Sequence, residues 1–132
     1  MDFNNSPFTV ELSSNKEFFL LNNPINIICK IYNSSLESQS LCKYHTPFER
    51  VQNRIFTLIK DGKNIPYKGK LIKRLVPIKK DYVDLQSKGT ISCTVDISSS
   101  YDLSKKGEYF INYKGSQISN LPDSLPLQFI IK

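Results

Sequence analysis

His45 is the sole histidine among 132 residues, and the three cysteines are Cys29, Cys42 and Cys93. These are the side chains that could hold a metal or supply a nucleophile. A zinc site needs three or four converging ligands, and here no Cys-x-x-Cys pair and no His-Glu-x-x-His motif brings them together. Cys42 and His45 lie three apart, which on a strand puts them on opposite faces and argues against a thiol–imidazole dyad. There is no Gly-x-Ser-x-Gly elbow and no glycine-rich phosphate loop. The carboxylates Asp81, Asp84, Asp96, Asp102 and Glu108 are scattered through turn-like and strand-like segments, where they read as solvated charge. These residues give no enzyme, no cofactor and no metal site. Each cysteine sits in an apolar-rich run, "INIICKIY", "SLCKY" or "TISCTVDI", so three reduced and mostly buried thiols are expected.

The net charge is +6, and much of it gathers in "KGKLIKRLVPIKK". Lys68, Lys70, Lys73, Arg74, Lys79 and Lys80 alternate there with Leu71, Ile72, Leu75, Val76 and Ile78. One reading is a strand edge and loop with a solvated lysine face, a device that also discourages strand-to-strand aggregation. The other is a basic surface for an anionic partner, nucleic acid or a membrane surface. The stretch lacks the interleaved aromatics common in nucleic-acid binders.

The elements that must position these residues repeat with a period of two. Phe8, Val10 and Leu12 alternate, as do Ile25, Ile27, Cys29 and Ile31, then Ile91, Cys93, Val95 and Ile97, then Tyr109, Ile111 and Tyr113. Such alternation predicts half-buried antiparallel strands. Asn22-Asn23-Pro24, Asp61-Gly62, Lys88-Gly89, Lys106-Gly107 and Pro122-Asp123 read as the turns between them. The best helical stretch, 48–54, is two turns at most. The expected fold is all-β, an immunoglobulin-like antiparallel sandwich of about seven or eight strands in one domain spanning 1–132. Tyr109, two residues after Gly107, suits a corner tyrosine that packs in the core while its hydroxyl bonds backbone. The N-terminus has no basic start and no long apolar run, so as written the chain is expected in the cytoplasm, or secreted if its start is processed or engineered.

Three stretches, "LCKYHTPFE", "IFTLIKDGKNIPYKGKLIKR" and "DYVDLQSKGTISCTVDISSSYDLSKKGEYFINY", together resemble the β-rich N-terminal region of the deuterolysin-type metalloendopeptidases, the bacterial lysine-specific ones included. The shared pieces are His45-Thr46-Pro47, Asp61-Gly62, Pro66-Tyr67-x-Gly69, Lys73-Arg74, Asp81-Tyr82-Val83, Tyr101-Asp102-Leu103, Gly107 and Tyr109. Tyr44 stands where the bacterial members have tryptophan. In that family the region precedes a zinc protease domain, or forms a propeptide, and none of the catalytic residues has a counterpart here. The resemblance therefore implies a non-catalytic protein-binding module, a protease inhibitor or chaperone, whose partner is such a metalloprotease. The contact segments would be 46–54 and 68–80, with His45, Phe48, Lys68, Lys70, Lys73, Arg74, Lys79 and Lys80 as contacts, and with Pro47, Gly107 and Tyr109 as structural residues. His45 is expected to fix the turn into Thr46-Pro47 through a hydrogen bond, with a place in the partner interface as its alternative.

Overall fold

Alternating burial builds the frame. In β1 (Phe8–Ser13) the residues Phe8, Val10 and Leu12 are buried and their neighbours Thr9 and Glu11 exposed. In β2 (Asn26–Asn33) Ile27, Cys29, Ile31 and Asn33 turn inward. The structure, a computed structural model, describes residues 6–49, 54–71, 73, 75–116 and 118–132. Ile72, Arg74 and 50–53 lie outside that set, and with them most of the expected helical stretch 48–54.

Nine strands occur among the described residues: β1, β2, β3 (Gln39–Cys42), β4 (Phe56–Lys60), β5 (Lys63–Asn64), β6 (Tyr82–Leu85), β7 (Thr90–Asp96), β8 (Gly107–Tyr113) and β9 (Leu127–Ile131). They form a three-stranded sheet, β1-β2-β7, a four-stranded sheet, β5-β4-β8-β9, and a separate pair, β3-β6. Every strand pairing is antiparallel. The result is the expected β-sandwich, in which β3, β5 and β6 are short strands without the alternating runs that mark β1, β2, β7 and β8.

The core joins both larger sheets. Ile27, Cys29 and Ile31 of β2 belong to one cluster with Leu58 of β4, Tyr109, Ile111 and Tyr113 of β8 and Phe129 of β9. The Tyr109 and Phe129 rings stack at 5.2 Å between centroids, and Phe19 meets Phe129 edge-on at 5.8 Å. Such aromatic pairs add to the stabilisation from burial alone. Between β4 and β5, Asp61 and Gly62 take φ of 53° and 75°, the two left-handed residues that a tight hairpin loop requires.

The segment after β1 closes one side of the four-stranded sheet. Phe19 forms a parallel bridge to Ile131; its N–H donates to the Ile130 carbonyl at 2.8 Å, and its carbonyl accepts from Lys132 at 2.8 Å. Buried Asn33 ties the turns of the other side. Its Nδ2 donates to the carbonyls of Glu37 and Leu85 at 2.9 Å and of Gln86 at 3.2 Å, and its Oδ1 accepts from Ser35 N–H and hydroxyl.

Candidate protein-binding surface

The basic stretch begins at an anchor. Tyr67 bridges Tyr101, and their rings meet edge-on at 5.5 Å. Lys68 N–H donates to the Ser100 carbonyl at 2.8 Å. The Tyr67 hydroxyl donates to the Lys70 carbonyl, so its ring folds back over Gly69. A Cβ at position 69 would lie 2.5 Å from the Tyr67 hydroxyl oxygen, which accounts for glycine in Pro66-Tyr67-x-Gly69.

A second anchor ends the stretch at the 3-10 turn Lys79–Asp81. The Asp81 carboxylate accepts from Ile78 N–H at 2.9 Å and from the Tyr44 hydroxyl at 2.8 Å. The bond from Ile78 N–H, then that from Tyr44, hold the Asp81 carboxyl below its usual range. Lys43 N–H donates to the Asp81 carbonyl at 2.8 Å. Asp81 thus joins the base of the loop to the turn that carries His45, bringing the bases of the two contact segments together.

Between the anchors the side chains reach water. Leu71 is 64% exposed, Leu75 88%, Val76 85% and Ile78 57%. Lys68, Lys70, Lys73, Lys79 and Lys80 are exposed as well. The alternation expected to mark a strand edge does not make one here: the described residues between 68 and 78 form no strand, and those of both halves of the pattern face solvent.

The turn at His45 is built from backbone. His45 has φ of 61°; its N–H donates to Glu49 Oε2 at 2.8 Å, and its carbonyl accepts from the Tyr113 hydroxyl at 2.6 Å. Both of these bonds are made by the main chain of His45. Thr46 adds a hydroxyl bond to the Lys43 carbonyl at 2.6 Å and accepts from Phe48 N–H at 3.1 Å. Thr46 and Pro47 are buried, and half-buried Phe48 packs against the core.

Gly107 takes φ of 137°, and a Cβ there would come within 3.1 Å of the Lys60 side chain. Tyr109 is buried and its hydroxyl donates to the Lys105 carbonyl at 2.5 Å. The three thiols are unpaired, with Cys29 and Cys42 buried and Cys93 half-buried opposite Cys29. Among the described residues no group of three or more His, Cys, Asp or Glu side chains could hold a metal ion.

The chain resembles one curated protein over part of its length. An extracellular protease of Aeromonas hydrophila is 37% identical to it over 59 residues, a match covering 45% of this chain and 17% of that protein. The chain is similar to part of an extracellular protease. It spans well under two thirds of that protease's length. No protein-family model matches. Among solved structures, a β-glucosidase from Listeria innocua with bound glucose aligns over 96% of this chain and 16% of its own, at 13% identity and a TM-score of 0.48. The D270A form of that enzyme with laminaribiose aligns over 97% of this chain and 16% of its own, at 11% identity and 0.46. At those scores neither likeness bears on fold or function.

Sequence reading marked the lysines of this surface but missed Tyr67, Gly69 and Asp81 as its supports. Gly69 two residues after a tyrosine was the available signal, because only a glycine leaves room for a ring folded back on the chain.

Proposed function

We propose that this domain is a non-catalytic binding module that works with a secreted metalloprotease of the deuterolysin type, docking on the catalytic domain as an inhibitor or folding partner. The observation that carries this reading is the loop between Tyr67 and Asp81, which presents Leu71, Leu75, Val76 and Ile78 to solvent while fixed at both ends. Contiguous exposed apolar residues rimmed by charge mark protein-contact surfaces. Anchored ends lower the ordering cost of binding. The partial similarity to an extracellular protease supports a protease as the partner.

The test is binding of the purified domain to the isolated catalytic domain of such a protease, followed by calorimetry and by peptide hydrolysis. Micromolar or tighter binding is expected, with little change as salt rises, and no cleavage of casein by the domain alone. Leu75→Ser with Val76→Ser should weaken binding at least tenfold and leave thermal stability unchanged, since both side chains are already in water. Absence of binding, or binding that collapses with salt and transfers to nucleic acid or anionic lipid, would favour the lysines as the active half of the loop.

A further inference from the structure

Among the described residues no strand pairs with the outer edge of β7. In the β2–β7 ladder Ile97 N–H donates to the Ile25 carbonyl and Asn33 N–H to the Gly89 carbonyl, each at 3.0 Å. Hydrogen-bonded pairs alternate along an antiparallel ladder, so Ile91, Cys93 and Val95 bond to β2, while Thr90, Ser92 and Thr94 aim their N–H and C=O groups away from it. β7 is the last strand of its sheet, and β6, which precedes it, pairs with β3. Ile91 and Cys93 belong to the core side yet stay half-exposed, as expected where no described strand lies beyond them.

Natural sheets blunt such edges with lysine, proline or a bulge. The Thr90, Ser92, Thr94 row carries none of these, and all three side chains are exposed. The four-stranded sheet differs, since Phe19 and Leu21 line β9 with main-chain bonds.

We propose that β7 is an interface between two copies of this chain, paired antiparallel about a two-fold axis at Cys93. The strand is self-complementary in that register. Ser92 meets Thr94 twice and Thr90 meets Asp96 twice, while Lys88 falls opposite Ser98. No like charges meet, despite a net charge of +6 on each copy. Two three-stranded sheets become one of six strands through an isologous contact. Cys93 lies opposite its own copy in a non-hydrogen-bonded pair, for which Cα atoms are about 4.5 Å apart, within reach of a disulfide. The proposal does not rest on the reading of the loop.

Light scattering on the native chain across the micromolar range should show the mass doubling with concentration. Ser92→Pro removes an outward N–H without touching the bonds to β2, and Thr94→Lys puts charge on the edge; each should leave a monomer with an unchanged circular dichroism spectrum. A variant carrying Cys29→Ala and Cys42→Ala keeps only the Cys93 thiol. Treated with diamide, two Cys93 thiols give up two protons and two electrons to the azo group, forming one S–S bond and a hydrazine. The expected product is a covalent dimer that dithiothreitol reverses. A monomeric mass at every concentration would overturn the proposal. So would a dimer indifferent to both edge substitutions, or a monomer that takes up an added extended peptide at β7 instead.

Discussion

The Tyr113 hydroxyl donates to the His45 carbonyl at 2.6 Å, joining residues 68 positions apart. It fixes the carbonyl of a residue in the left-handed region, with φ of 61°. Histidine is among the side chains enriched in that conformation. The only histidine of the chain thus sits where its side chain suits the turn.

Tyr113→Phe should cost about 1–3 kcal/mol, because the hydroxyl is buried and the carbonyl loses its partner. His45→Gly should be as stable as the native chain or more so, and His45→Val should lose about 1–3 kcal/mol to backbone strain. Urea unfolding measures both. Equal stability of the glycine and valine variants would show that the backbone conformation is not what position 45 supplies.

At the start of β8, Tyr109→Phe removes the bond to the Lys105 carbonyl and should cost about 1 kcal/mol. Gly107→Ala should cost about 1 kcal/mol or more, since its φ of 137° strains any Cβ and Lys60 must give way. Thermal unfolding of the two variants checks the pair.

Asn33 donates to three carbonyls from a buried site. Asn33→Ala should lose about 2–3 kcal/mol. Asn33→Asp should be worse, because a carboxylate cannot donate and would face the same carbonyl oxygens. The Asn33-Ser34-Ser35 sequon should carry no glycan when the folded chain is exposed to glycosylation, as mass spectrometry would read.

The fold should weaken in alkali. Burial, with Cys93 opposite, raises the Cys29 thiol to about 12, and burial raises Cys93 to about 11 and Tyr101 to about 12. Burial also raises Tyr113 above its usual range. An unfolded chain releases these protons from about pH 8.5 for cysteine and about pH 10 for tyrosine. Between those values and the raised ones the native state binds more protons, so its stability is full below about pH 8.5 and falls as pH rises toward 12. The urea midpoint should drop steadily over that range. A flat midpoint to pH 11 would mean these groups are no more protected than in the unfolded chain.

The runs at Phe8–Leu12, Ile25–Ile31 and Tyr109–Tyr113 were legible because one face of each strand is buried along its whole length. β3 and β6 were not: Ser40 and Asp84 face solvent, and what defines these strands is pairing with each other across some forty residues. The alternation of Leu71, Leu75 and Val76 with lysines misled for a related reason. A period of two reports a face only when something covers it, and tertiary anchors at Tyr67 and Asp81 leave this one in water. The left-handed turn at His45 is tied to Tyr113, 68 residues away, a contact that no local pattern encodes.

The parallel seam between Phe19–Leu21 and β9 also sets how the domain would carry tension. Phe19 N–H to Ile130, Lys132 N–H to Phe19 and Leu21 N–H to Lys132, at 2.8–3.0 Å, lie across the strand direction. A pull on Lys132 along β9 loads these bonds together in shear, as it does those of β8 beside them, rather than one after another as in unzipping. Resistance to such a pull is governed by the unfolding rate, and in this domain it would be concentrated at a clamp holding the last strand between Phe19 and Tyr109.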